Sequence, residues 1–462
     1  MSNNNSNIDL ITGDPKKAIR TLAWPMMVSM FLIMAYNLAD SIWVAGLGSN
    51  ALAALGFITP LFMVVIGLGN GIGAGANSLI ARSIGAKDKK TADNAAVHAI
   101  IFTIIISIIA PIVLLPFLEN ILLLMGAGQA TQAGLDYGYI VFGFVFVILF
   151  SSVASAILRS EGDVKRAMNA MAITAILNII IDPIFIYTLN MGMAGAAIAT
   201  ILSALIACIV LAYWIWVKKD TYLSLSLRSF KFKWIIMKDI LKVAIPSTAE
   251  NFVMSILGLI MNAMLVIAGG TVAVAVYTAA MRILQMFMIP MMGLGTAVLT
   301  VAGAAYGSHN YNKLKTGFSY TIILGILISL LFAGIMFIFA PHIASIFTYT
   351  STSAALTGQI TEALRYLAFF LIVLPVGIVP SMVFQGVGRG LTSLIITVFR
   401  SLIFESIFAY LFGLVFGWGV VGMYIGVVFG CGLGCVLAYI WSKIFLNTYK
   451  KDMIKKYGNV EN

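Results

Sequence analysis

Residues 99–118 read AIIFTIIISIIAPIVLLPFL, twenty positions without a charged side chain. At 1.5 Å per residue a helix of that length covers roughly 30 Å, the thickness of the hydrocarbon core. Lipid offers no partner to backbone N–H and C=O groups, so such a run crosses the membrane as a helix. Working outward from it, twelve apolar runs emerge, at about 19–45, 52–81, 92–118, 133–158, 168–190, 192–217, 240–268, 271–305, 316–341, 359–384, 393–415 and 418–447. The second and eighth are long enough to tilt or to extend past the bilayer. The composition agrees: 61% of the 462 residues are hydrophobic and only 10% charged, where a soluble domain carries about 25% charged residues. A soluble globule, a disordered chain and a disulfide scaffold are all excluded. Cys208, Cys431 and Cys435 lie inside apolar runs. Cys431 and Cys435 share a helix face, and with no third ligand near them packing is the expected role.

The basic residues assign sides. Apart from Arg282 inside span eight and Arg365 near the outer end of span ten, every Lys and Arg falls in the N-terminus, the loops after even-numbered spans or the C-terminal tail, or in the span ends adjoining them. By the positive-inside bias both termini are cytoplasmic, in a multi-pass protein of the cell membrane. The net charge of +11 then reflects loop topology, and no nucleic-acid partner is expected. The first eighteen residues, MSNNNSNIDLITGDPKKA, have no apolar core of a cleavable signal peptide.

The two halves of the chain repeat at a shift of about 221 to 227. Leu22-Ala-Trp-Pro25 matches Val243-Ala-Ile-Pro246, Gly71-Ile-Gly73 matches Gly293-Leu-Gly295, Gly162 matches Gly388, and Gly192-Met-Ala-Gly195 matches Gly419-Val-Val-Gly422. So small a drift over a whole half marks one tandem duplication. Six spans per unit give both units the same orientation, an arrangement of parallel repeats that suits alternating access. The expected fold is all-α integral membrane: twelve transmembrane helices in two parallel six-helix repeats around a central cleft. The expected division is a cytoplasmic N-terminal segment at 1–18, an N-lobe at 19–217, a linker at 218–239, a C-lobe at 240–447 and a cytoplasmic tail at 448–462. This self-contained design predicts a monomer.

Four acids lie well inside spans: Asp40, Asp182, Glu250 and Glu405. A charge at the bilayer centre costs about 2.5–3.5 kcal/mol on insertion scales, so such residues are functional candidates. Counting rise per residue, Asp40 lies roughly 7 Å from the outer membrane face, Asp182 and Thr200 roughly 12 Å, Tyr36 roughly 14 Å and Asn178 roughly 18 Å. Tyr36 and Asp40 share a helix face, as do Asn178 and Asp182. Pro183, lacking an N–H, leaves the carbonyl of Ile179 open. Oxygen ligands of this kind suit Na⁺, and two neighbouring acids in low dielectric also bind H⁺ as a coupled pair; a structural hydrogen-bond network is the alternative. The second half carries Asn262, Phe404, Phe408 and Gly426 at the equivalent positions, so the cluster is not duplicated. Glu405 is expected to pair with Arg400, Glu250 to cap a helix after Pro246, and Arg282 to be a candidate for the cleft wall. The glycines of Gly67-Leu-Gly-Asn-Gly-Ile-Gly-Ala-Gly75 mimic a nucleotide fingerprint, but they lie within a span and predict close helix packing. Pro25 is expected to kink span one and to couple occupancy of the Asp40 site to a bend in that helix.

These features resemble the multidrug and toxic compound extrusion (MATE) transporters. The resemblance rests on the two six-span lobes, the span-one proline and the loop Leu158-Arg-Ser-Glu-Gly-Asp-Val-Lys-Arg-Ala-Met168. The cluster of Asp40, Asn178, Asp182 and Thr200 looks like the N-lobe cation site of archaeal members in the DNA-damage-inducible branch. Tyr137 and Ser155 on span four look like drug-cavity positions there, beside Tyr36 and Asn37. The resemblance implies efflux of small amphipathic, often cationic compounds in exchange for H⁺ or Na⁺, without a further cofactor. One departure stands out. A bacterial Na⁺-coupled branch carries acids on spans seven and ten, whereas residues 371–380 here read LIVLPVGIVP and Glu250 lies close to Pro246.

Two other classes compete. A lipid-linked oligosaccharide or other lipid flippase of the same superfamily would be expected to line its cleft with several basic residues for phosphates, and only Arg282 qualifies. An intramembrane aspartyl protease would need a Gly-x-Gly-Asp signature, whereas Asp182 sits in Ile-Ile-Ile-Asp-Pro. No ATP-binding loop is present, so an ion gradient is the expected energy source, and the chain is not expected to be an enzyme.

Overall fold

A computed structural model describes residues 2–218, 220–225, 230–347 and 355–457. Lys219 and Arg228 of the expected linker, and the end of the tail from residue 458, lie outside the described residues. After an N-terminal helix, Ser2–Thr12, come α1 (Pro15–Ala45), α2 (Ser49–Gly85), α3 (Lys89–Leu124), α4 (Gly128–Gly143 and Val145–Ser160), α5 (Val164–Thr188) and α6 (Gly192–Lys218). The helix Trp234–Gly307 is broken at Gly269 and Gly270, where φ of +70° at Gly270 admits a residue without Cβ. It therefore holds α7 (234–268) and α8 (271–307). Then follow α9 (Tyr311–Ile338), α10 (Thr357–Gly386), α11 (Gly390–Val415) and α12 (Gly419–Tyr457). With the 50° bend in α4 counted within one span and Trp234–Gly307 counted as two, twelve apolar helices among the described residues are long enough to cross a membrane. Helical structure starts earlier and ends later than hydropathy indicates: α7 begins at Trp234, inside the expected linker, and α12 runs on into the expected tail.

The chain forms two compact units, one of Met1–Gly13 and Trp24–Thr248, the other of Asp14–Ala23 and Ala249–Asn462. Their limits differ from the expected lobe boundaries at both repeat starts. The first helix of each repeat passes from one unit to the other beside its proline, Pro25 in α1 and Pro246 in α7.

Local geometry repeats with the sequence. Asp88 caps α3 by accepting from Thr91 N at 3.0 Å, and Asn310 caps α9 by accepting from Lys313 N at 2.9 Å. The preceding Lys87 and His309 both have φ near +55°: 58° and 54°. Gly162 and Gly388, 226 positions apart, hold φ of +85° and +84°. α5 and α11 end in wide π-type turns over Ile184–Thr188 and Leu411–Val415. Each turn is closed by the same pair of bonds, Leu189 N to Ile184 O with Met191 N to Phe185 O, and Phe416 N to Leu411 O with Trp418 N to Phe412 O. Pro183, which donates no hydrogen bond, precedes the first of these turns; the second forms without a proline, so the turn belongs to the repeat.

Glycine sets the closest approaches. In the first unit Gly69 and Gly73 of α2 face Ser152 and Ala156 of α4, while Gly71 and Gly75 face Ala244 and Ile240 of α7. This is the dense packing read from the sequence. In the second unit Gly422, Gly426, Gly430 and Gly434 recur every four residues along α12, and a Cβ at any of them would collide with the α11 main chain. Larger side chains fill the interiors, among them Ile58, Leu118, Phe142 and Leu149 in the first unit and Phe318, Val383 and Phe384 in the second.

The segment between the repeats is strapped to the first unit. Leu223 N donates to Glu161 at 3.0 Å, Ser224 N to Asp93 at 2.8 Å, and Lys233 N to His98 Nε2 at 3.0 Å, while Lys89 Nζ donates to Tyr222 O at 2.6 Å. Glu161, in the loop between α4 and α5, is 2% exposed. Burial pushes its carboxyl up to about 8, against the opposing effect of the Leu223 N–H.

Candidate functional site

Three helices of the first unit deliver the polar residues read from the sequence to one place. α1 carries Tyr36 and Asp40 on one face, α5 carries Asn178 and Asp182 one turn apart, and α6 carries Thr200. Asn178 Nδ2 donates to Asp182 Oδ1 at 3.1 Å and reaches Thr200 Oγ1 at 3.4 Å. Tyr36 lies within the field of both Asp40 and Asp182, and the two acids face each other closely enough to interact. Tyr137, on the first limb of α4, joins the group through a hydrogen bond between its hydroxyl and Thr200. The 50° bend at Phe144 sets the direction of that limb.

Asp182, Asn178 and Asp40 are 0%, 1% and 8% exposed. One oxygen of each, Asp182 Oδ2, Asn178 Oδ1 and Asp40 Oδ1, is buried without a hydrogen-bond partner. Leaving such an acceptor unpaired costs about 1–3 kcal/mol, more for a charged one. Three unpaired oxygens on neighbouring helices, two of them from carboxylates, suit a small hard cation or a proton. Asp40, Asn178 and Asp182 are the residues that could hold a cation such as Na⁺, with Thr200 adjoining. Among the described residues no group of three or more His, Cys, Asp or Glu side chains could hold a metal ion, so any cation here would rest on two carboxylates and neutral oxygens.

Two expected cavity residues stand apart from this cluster. Asn37 is exposed, one position round α1 from Tyr36, and its carbonyl accepts from Ser41. Ser155 is fully buried on the second limb of α4 with its hydroxyl unpartnered. Pro25 lies inside α1 with its carbonyl accepting from Ser29 Oγ at 2.8 Å.

The C-terminal ends of α1 and α5 are tied by a contact that sequence reading missed. The Tyr187 hydroxyl donates to the carbonyl of Trp43, and Gly46 leaves the space that the hydroxyl occupies. The i, i+5 separation of Asp182 and Tyr187, set by the π-type turn, gives no helical-face signal. Two further expectations are corrected. Glu250 does not cap a helix: it accepts from Ser393 Oγ at 2.7 Å and from Gln385 Nε2 at 3.3 Å. Arg400 does not form the expected ion pair with Glu405; its Nε donates to Ser401 instead. Arg282 is exposed.

Twelve membrane-spanning helices, repeated as two sets of six and carrying paired acids in their interior, define an integral membrane transporter. Comparison with known proteins narrows the class. The MatE family model matches residues 25–184 and 246–411. The chain belongs to the MATE family, a family of transporters and not of enzymes. It is 26% identical over 392 residues to the multidrug export protein MepA of Staphylococcus aureus strain MRSA252, covering 84% of this chain and 85% of the relative. A MOP-superfamily transporter of Pyrococcus furiosus shares 42% identity, with 96% of this chain and 98% of that one superposed at a TM-score of 0.94. A MATE protein solved in a bent conformation superposes at a TM-score of 0.93, again with 42% identity, over 97% of this chain and 99% of the other.

Proposed function

We propose that this protein is a secondary active multidrug efflux antiporter of the cell membrane. It exports amphipathic, often cationic compounds in exchange for H⁺ or Na⁺ by alternating access. Asp40, Asn178, Asp182 and Thr200 form its coupling site. Tyr36, Asn37, Tyr137 and Ser155 contribute to the substrate cavity, and Pro25 couples occupancy to the shape of α1. Both termini are cytoplasmic, the working unit is a monomer, and no cofactor beyond the coupling ion takes part. The observation that carries the reading is the trio of unpaired, buried oxygens on Asp40, Asn178 and Asp182. They hold two negative charges where the membrane interior disfavours even one. A bound cation relieves that charge, and its loss makes a cationic substrate the better partner. Energetic exchange between the two ligands follows from one shared need for positive charge.

The test is efflux of a fluorescent lipophilic cation from proteoliposomes, with a pH gradient and a Na⁺ gradient imposed separately on wild type and Asp40→Asn. Export driven by one gradient and lost in the variant is expected, and it names the ion. A dye that responds to neither gradient would overturn the antiporter and favour a lipid flippase.

A further inference from the structure

We propose that Cys431 and Cys435 form a binding site for one soft monovalent metal ion of the Cu⁺ or Ag⁺ class, with Arg400 as its counter-charge. The site goes beyond the transport reading and shares no residue with the cluster around Asp40.

Cys431 and Cys435 lie one turn apart on α12 as free thiols, 0% and 1% exposed, with their sulfurs 3.9 Å apart. Spacing along the chain gives such a pair a packing role; two neighbours from α11 add to it. Glu405 is hydrogen-bonded by the Cys431 thiol. Arg400 stands on the other side, because Cys435 Sγ and Arg400 Nη1 both abut Gly377 of α10, 2.6 Å and 3.0 Å from the point a Cβ would occupy. Arg400 is 7% exposed, and its Nη1 has no hydrogen-bond partner among the described residues. A buried pair of sulfurs thus comes with an unpaired guanidinium N–H at its edge.

The repeat supplies a comparison. At the shift of 227 that relates Gly195 to Gly422, Cys435 falls on Cys208 and Cys431 on Ala204. The first unit keeps one thiol, which donates to the carbonyl of Val147 at 3.1 Å. The second unit sets two side by side.

The chemistry selects the ion. Thiolates are soft donors that favour Cu⁺ over hard cations. Structural zinc takes four ligands, and among the described residues no group of three His, Cys, Asp or Glu side chains could hold a metal ion. A monovalent d¹⁰ ion is satisfied by two sulfurs. With bonds of roughly 2.3 Å, as in zinc thiolates, it seats in bent form between these sulfurs, and in line once they part by less than about 1 Å. A disulfide needs Cβ atoms roughly 3.5–4.5 Å apart, whereas one turn of helix holds them roughly 5–6 Å apart. An ion bridges that longer gap without unwinding α12.

Binding exchanges protons for metal with no change of oxidation state. Both S–H bonds break and two sulfur–metal bonds form, so one positive charge enters as two protons leave the sulfurs. The Glu405 carboxyl is placed to accept the proton of Cys431. The bis-thiolate complex carries one negative charge, which a low-dielectric interior tolerates only beside a counter-ion. Arg400 provides it.

Silver is the probe, since Ag⁺ needs no reductant. Purified full-length protein in nanodiscs is equilibrated with Ag⁺ and excess free methionine, which competes for scattered thioethers, then desalted, and its silver is counted by mass spectrometry. One Ag⁺ per chain is expected, with a sulfur-to-metal charge-transfer band in the ultraviolet. Cys431→Ser and Cys435→Ser are each expected to abolish both, and Cys208→Ser to change neither. Arg400→Gln is expected to weaken binding at least about tenfold, with Arg400→Lys close to wild type. Serine differs from cysteine by one atom, so the serine variants decide the matter even where Arg400→Gln fails to fold. No silver on wild type, retention unchanged by either serine, or a separate ion on each thiol would overturn the proposal. None of these readouts involves transport, so a failed efflux assay leaves it standing.

Discussion

Tyr187, five residues beyond Asp182, donates its hydroxyl to the carbonyl of Trp43, three residues beyond Asp40. The two helices bearing Asp182 and Asp40 are thus pinned together within about a turn of these acids. Tyr187→Phe keeps the ring packed edge-on against Trp43, whose centroid is 6.4 Å away, and removes only a bond worth about 1 kcal/mol. The expected result is a folded transporter whose efflux persists but needs a steeper ion gradient, read as a shift in the gradient giving half-maximal dye export.

Asn178 is the amide that bridges Asp182 to Thr200. Asn178→Leu leaves Asp182 without that donor, a loss of about 1.5–3 kcal/mol for a hydrogen bond to a charged group. Affinity for the coupling ion should fall about ten- to a hundredfold. Ion-dependent protection in a thermal melt measures it directly, with Asp40→Asn as the limiting case.

Pro25 sits where α1 passes between the two units. Pro25→Ala supplies an N–H for the carbonyl of Thr21 and restores a regular ladder, where a proline in a helix interior costs about 3 kcal/mol. The melting temperature should hold or rise. Dye export should lose its dependence on the ion gradient, and wild-type coupling in this variant would remove Pro25 from the mechanism.

Glu161 titrates far above an ordinary glutamate, near 8, because it is buried beneath the linker. A carboxyl raised on folding contributes stability fully below its ordinary value of 4.5, and that stability is lost as the pH rises through about 8. The slope approaches about 1.4 kcal/mol per pH unit between those limits. Wild type should melt at progressively lower temperature from weakly acidic to weakly alkaline pH. Glu161→Gln, which still accepts from Leu223 N, should flatten that dependence.

Gly434 and Gly432 are neighbours on α12 with opposite surroundings. A methyl at Gly434 would collide with Arg400, whereas at Gly432 the nearest atom is Val373 Cγ1 at 3.9 Å. Gly434→Ala should destabilise by about 1–3 kcal/mol, as overpacked cores do. Gly432→Ala should be neutral or slightly stabilising, since alanine favours helix. Melting temperatures of the two purified variants make the comparison.

Hydropathy, counted residue by residue, was sufficient for the membrane class, the twelve spans and the duplication. Lipid imposes one length and one secondary structure on every crossing, and a duplicated chain keeps its punctuation: Gly162 and Gly388, or Asp88 and Asn310, do the same backbone work in both halves. That Asp40, Asn178, Asp182 and Thr200 come to one level of neighbouring helices was legible for the same reason, because rise along a helix is constant. Azimuth and neighbours across helices were not. Tertiary structure alone turned Glu250 from a capping residue into an acceptor for Gln385 and Ser393, left Arg400 without its ion pair, and joined Tyr187 to Trp43. Each depends on how helices far apart in sequence pack, and on π-type turns that shift the face a residue presents. Periodicity along one helix carries no record of either.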